Sequence, residues 1–82
     1  MPTPRRAAIR YAIPGEANVS LAIFDPSGRR VRSLFRGRAP AGEHVEYWDG
    51  LDDSGVRSAS GQYFLRLEFT GRVLTRNFTL VR

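Results

Sequence analysis

The sequence contains no cysteine and no lysine, and it has a single histidine, a single methionine and a single tryptophan. Without cysteine there are no disulfides and no thiolate metal sites, and the redox compartment stays open. One histidine cannot assemble a zinc site alone. No apolar run approaches the ~20 residues of a membrane helix, so membrane insertion is not expected. No stretch holds a helical period over the ~11 residues that a helix needs. Arg5 and Arg6 do not introduce a signal peptide on this reading, because Arg10, Pro14 and Glu16 interrupt the stretch after them. Met1 reads as an added start and residues 1–6 as a linker remnant, so the chain is expected to be a piece of something larger.

The residues present fit one small β domain. The 82 residues bound a single core, which buries ~60–65% of the unfolded surface. With 41% hydrophobic residues, and nine aromatics in the chain, such a core can form. Ala7 to Ile13 alternates, with Ile9, Tyr11 and Ile13 on one face. After a turn at Pro14 to Asn18, Val19, Leu21 and Ile23 alternate through Asp25. Asp25-Pro26-Ser27-Gly28 suits a type I turn, with Pro second and Gly fourth. Val31 to Phe35 forms a third strand, and the odd spacing of Val31 and Leu34 predicts a bulge or an early end. A loop at Gly37 to Gly42 leads to a strand at Glu43 to Trp48, then a long turn to Ser60. Gln62 to Thr70 places Tyr63, Leu65, Leu67 and Phe69 on one face. Gly71-Arg72 is a tight turn before Val73 to Val81. Leu21, Ile23, Tyr63, Leu65 and Leu67 are expected in one core, and no internal repeat is evident. About six to seven short strands at this spacing argue for an all-β antiparallel sandwich.

These residues resemble a known family. Ile9 to Pro14 is similar to its opening strand, and Ile23-Phe24-Asp25-Pro26-Ser27-Gly28-Arg29-Arg30-Val31 to its first hairpin. Ala41-Gly42-Glu43-His44, Trp48-Asp49-Gly50 and Asp53-Ser54-Gly55 resemble its Asp/Gly turn. Ala59-Ser60-Gly61-Gln62-Tyr63-Phe64 resembles the strand after that turn. Thr75-Arg76 and Leu80-Val81-Arg82 resemble its ending. The family is the FlgD-like immunoglobulin-like domain, shared by the flagellar hook-capping protein and the C-terminal sorting domains of type IX-secreted bacterial proteins. The resemblance covers residues 7–82 and implies an immunoglobulin-like sandwich. Glu46 stands where the family has an apolar residue, and Val45 and Tyr47 lie opposite Trp48. The fourth strand is therefore expected to be bulged or an edge.

Candidate sites each have two readings. Asp49, Asp52 and Asp53 could ligate calcium through oxygen, though their spacing is not that of an EF-hand. Asp side chains also cap turns by accepting backbone N–H bonds, and that is the expectation here. Arg30, Arg32, Arg36 and Arg38 share a parity and form a candidate basic stripe for phosphates, proteins or polysaccharides. Only Phe35 interleaves them, which fits nucleic acid poorly. Exposed charges on an edge strand also discourage aggregation. The net charge of +5 suits acidic partners or a solvated, arginine-coded surface, and the lack of lysine favours the latter. Ser54, Ser58, Ser60 and His44 show no nucleophile–base–orienter order. Trp48 is expected in the core. Phe24 and Phe64 have off-face parity and are candidates for an exposed contact.

The expected function is non-enzymatic. The resemblance implies a C-terminal secretion, sorting and attachment module, with Thr79, Leu80, Val81 and Arg82 as the recognised tail. It would act extracellularly or at the cell surface after export through the periplasm, as a monomer with a protein partner and no cofactor. The alternative is a scaffold domain of a flagellar hook-capping protein, or a carbohydrate- or nucleic-acid-binding accessory domain.

Overall fold

The computed structural model describes residues 7–81, so the expected linker remnant at residues 1–6 and the tail residue Arg82 lie outside the described residues. Strands β1 (Ala7–Ile13), β2 (Ala17–Phe24), β3 (Arg30–Ala39), β4 (Gly42–Trp48), β5 (Gly61–Phe69) and β6 (Arg72–Leu80) succeed one another in chain order. One sheet runs β3-β2-β5-β6 and the other pairs β1 with β4, all antiparallel. The smallest extent, 21 Å, fits two stacked layers with their side chains. The all-β sandwich expected from the alternation is therefore the fold, with six strands.

The wider sheet is built on β2, where Val19, Leu21 and Ile23 point inward and are fully buried. Two bulges in β3 settle the odd spacing of its apolar residues. Leu21 pairs with Phe35 and Ala22 with Ser33, leaving Leu34 extra; Ile23 pairs with Arg32 and Phe24 with Arg30, leaving Val31 extra. The extra residue at each bulge lets both apolar side chains turn inward. Val31 is buried and Leu34 packs on the core. The strand does not end early, however. It continues to Ala39, so the expected loop at Gly37 to Gly42 shrinks to Pro40 and Ala41. The fourth strand is an unbulged edge, paired only to β1 in continuous register.

The interior is two clusters, not one. Ile9, Ile13, Val19, Leu21, Leu67 and Phe69 pack at one end, with Ala17 and Ala39. Ile23, Val31, Trp48 and Tyr63 pack at the other. Leu34 and Leu65 touch both. Leu65 is therefore only partly buried, and truncating it should cost less than truncating Leu21 or Ile23. The Tyr63 hydroxyl donates to the Ala59 carbonyl at 2.6 Å. Such a Tyr-to-upstream-backbone bond at a strand corner is a feature of immunoglobulin-like sandwiches.

The β5–β6 hairpin turns on Thr70-Gly71, one residue earlier than expected, since Phe69 pairs with Arg72. Both turn residues have positive φ, 49° for Thr70 and 74° for Gly71, as a type I′ turn requires. Glycine adopts this without cost, but a β-branched residue does not. Thr70→Asn should raise stability by about 1 kcal/mol, because Asn tolerates the left-handed region. Thermal melting checks this: an unchanged or lower midpoint would show that Thr70 is not strained.

Candidate functional site

The polar architecture is concentrated at one end of the sandwich, where the segment between β4 and β5 folds back along β3. Its geometry rests on a short sequence used twice, a repeat that the sequence reading missed. In Asp25-Pro26-Ser27-Gly28-Arg29 the Asp25 carboxylate accepts the Ser27 and Arg29 N–H groups, each at 3.0 Å. In Asp52-Asp53-Ser54-Gly55-Val56 the Asp52 carboxylate accepts the Ser54 and Val56 N–H groups at 2.8 and 2.9 Å. The backbone bonds match as well. Gly28 donates to Asp25 and Asp25 to Arg29, as Gly55 donates to Asp52 and Asp52 to Val56. The shared Asp-x-Ser-Gly spacing was legible as a signal, because a short carboxylate bonds its own backbone two residues on.

Asp25 has the added Ser27 hydroxyl at 2.6 Å and the Arg29 guanidinium at 3.4 Å. The Ser27 hydroxyl bond, helped by the backbone bonds and Arg29, outweighs desolvation and holds its carboxyl below the ordinary 3.8. A depressed folded value stabilises the folded state above 3.8, and this stabilisation is lost as pH falls through the folded value. Asp25→Asn should therefore weaken the domain at neutral pH and flatten the acid limb of its stability curve. Denaturant melts across that range check it; parallel acid limbs for the two proteins would refute the assignment.

Around the second turn the carboxylates are engaged. Asp49 accepts the Leu51 N–H at 3.0 Å and Arg32 at 3.4 Å. Asp53 accepts the Ser33 N–H at 3.0 Å with one oxygen and Arg30 Nε at 3.1 Å with the other. The Asp53 backbone also donates to the Val31 carbonyl at 2.8 Å. A bridge between Leu51 and Arg57 and a bond from Ser58 to Gly50 close the loop. The indole N–H of Trp48 donates to the Leu51 carbonyl at 2.9 Å, tying the loop to the core. The three aspartates thus aim at backbone N–H groups and arginines. Among the described residues no group of three His, Asp or Glu side chains converges as a metal site would.

The β3 bulges correct the basic stripe at one position, because Arg32 lies between them and alone leaves the shared face. Arg32 pairs in register with the buried Ile23, and its Nη1 reaches the Leu51 carbonyl at 3.2 Å. Arg30, Arg36 and Arg38 instead lie level with Phe24, Ser20 and Asn18 on the outer face. Arg30 is held by Asp53 and Arg38 by Glu16 at 3.3 Å. Arg36 alone of the four has no ion pair among the described residues. It borders a shallow hollow of about 630 Å³ on the outer face, with Ser20, Glu68 and Arg72.

Phe24 and Phe64 sit opposite each other across β2 and β5 on that same outer face, half-buried. The Arg66 guanidinium covers the Phe24 ring at 5.2 Å and pairs with Glu68 at 2.9 Å. The only histidine, His44, donates from Nε2 to the Pro40 carbonyl at 2.7 Å and stacks on Tyr11 at 5.2 Å. Burial, with Glu46 nearby, pushes the Tyr11 phenol up. In the tail, Leu80 packs on the Trp48 cluster and Thr79 accepts from Gln62 at 3.4 Å. Val81 comes directly after β6 and is exposed.

A two-layer antiparallel sandwich with a Tyr63 corner and carboxylate-capped turns defines an immunoglobulin-like module, and the aspartates of its rim are spent on turns and ion pairs. The chain belongs to the FlgD Ig-like domain family, which matches residues 4–72. The crystal structure of FlgD from P. aeruginosa superposes with a TM-score of 0.73 at 25% identity, over 85% of this chain. The chain spans 57% of that structure's length. No curated protein matches the chain. The family match ends at Arg72, so the rest of β6 and the tail residues Thr79, Leu80 and Val81 lie beyond it.

Proposed function

We propose that this domain is a non-enzymatic scaffold module of a flagellar hook-capping protein, working outside the cytoplasmic membrane through contacts with other protein subunits. The observation that carries this reading is the agreement of family and fold: the FlgD Ig-like match over residues 4–72 and the likeness to P. aeruginosa FlgD at a TM-score of 0.73. The physical character of the module agrees. Its rim loops are pinned by short carboxylate-to-backbone bonds, as suits a part that must hold shape while neighbours assemble on it. A sorting role has less behind it, since it rests on the tail resemblance at Thr79, Leu80, Val81 and Arg82, outside the matched span.

A chimaera tests the proposal. This domain replaces the immunoglobulin-like part of P. aeruginosa FlgD in cells lacking their own copy, and hook assembly and motility are scored. The expected result is restored hooks, compared with a chimaera that lacks the domain. In parallel, a reporter is fused ahead of the domain in a type IX-competent host. Export that is lost on deleting Val81 and Arg82 would overturn the scaffold reading in favour of sorting.

A further inference from the structure

Sheet edges in this sandwich are protected unequally. The outer edge of β3 carries two bulges, and Asp53 binds it at Val31 and Ser33. Such devices stop further strand pairing. β6 is the opposite edge of the same sheet, and among the described residues it has neither bulge nor covering loop, so only the charges of Arg72 and Arg76 guard it. It runs nine residues, Arg72–Leu80, in unbroken register with β5 and contains no proline. Among the described residues no backbone bond reaches its outer side.

The face of β6 turned toward the second sheet carries Leu74, Arg76, Phe78 and Leu80, level with Leu67, Leu65, Tyr63 and Gly61 of β5. Phe78 and Leu80 lean on the Trp48 cluster, but Leu74 is 52% exposed. Arg76 stands between Leu74 and Phe78, exposed and without an ion pair among the described residues. β6 holds Arg72 and Arg76 and no carboxylate. A second copy paired here would bring these arginines together on two domains that each carry +5.

We propose that the free edge of β6 accepts an extended strand of a protein partner that carries a carboxylate opposite Arg76 and apolar residues two places to either side. The partner's backbone continues the sheet, which is how exposed edges recognise extended segments. Its apolar residues cover Leu74 and the rim of Phe78, and its carboxylate meets the Arg76 guanidinium. Strand capture of this kind goes beyond the scaffold role and does not depend on which assembly the domain serves.

The test uses the intact chain and a synthetic peptide, Thr-Val-Thr-Glu-Thr-Val-Thr, with a second peptide in which Lys replaces Glu. NMR titration should shift β6 resonances with the Glu peptide and slow exchange of alternate β6 amides about tenfold or more. The Lys peptide should bind about tenfold more weakly, and Arg76→Glu should reverse that preference. Equal binding of both peptides, or no change at β6 at millimolar peptide, would overturn the proposal. Concentration-dependent self-association through β6 without peptide would also overturn it, with a second copy as the occupant. A fold check by circular dichroism accompanies Arg76→Glu; the wild-type titration does not depend on that variant.

Discussion

Trp48→Ala is expected to leave most of the domain unfolded at room temperature. Trp48 is 1% exposed, the largest side chain so completely buried. It meets Tyr63 edge-on at 5.4 Å and Phe78 at 5.8 Å, and thereby joins the two-stranded sheet to β5 and β6. Its removal costs about 3–5 kcal/mol in packing alone. A core of this size supplies little more than that; domains of ~70–80 residues rarely gain over ~3–5 kcal/mol from one core. The variant also cuts the indole bond to Leu51, which ties the 49–58 loop to the core. Trp48→Phe should fall between the two, since a ring still faces Tyr63 but the N–H is gone. Urea melts followed by far-ultraviolet circular dichroism measure this without relying on the lost fluorophore. A Trp48→Ala protein with a near-native midpoint would mean that Tyr63 and Phe78 collapse onto each other and hold that cluster without the indole. Leu65→Ala is a useful comparison, because Leu65 is only partly buried and its loss should be smaller.

Much of this architecture is legible in the residues. Strict alternation places β1, β2 and β5, because a half-buried strand must send every second side chain inward. The bulge is legible from Val31 and Leu34, whose three-residue spacing no flat strand can bury. A bulge changes which face the following residues take and a second bulge reverses the change, so a stripe counted by parity loses Arg32, between the two, and keeps Arg30, Arg36 and Arg38. The length of β3 is not legible, because Gly37 and Arg38 look like loop residues, yet Gly37 lies level with Val19 and Arg38 with Asn18. Pairing partners decide such cases, and they are far off in sequence. The two copies of Asp-x-Ser-Gly are readable side by side; taken singly, one suggests a turn and the other a cation site. What the carboxylates of Asp49 and Asp53 bind is set by Arg32, Ser33 and Arg30, which only the folded chain brings near.

Asp53→Ala should destabilise the domain by about 1–3 kcal/mol, more than removal of its ion-pair partner Arg30. The reason lies in the different jobs of its two oxygens. One accepts the Ser33 N–H at 3.0 Å, between the two β3 bulges. The other meets Arg30, where both side chains are about half exposed, so solvent screens that pair. Arg30→Ala should therefore cost about 0–1 kcal/mol. Asp53→Asn should resemble Arg30→Ala, because the amide oxygen can still accept from Ser33 while the charge is gone. Urea melts of the single and double variants give the coupling directly. If Asp53→Asn were as damaging as Asp53→Ala, the ion pair and not the backbone bond would hold the loop to β3. The same carboxylates bear on calcium: with Asp49 and Asp53 committed to Arg32 and Arg30, millimolar calcium should leave the melting midpoint unchanged. A chelator-reversible rise would mean that the ion displaces the arginines and that the loop is a cation site after all.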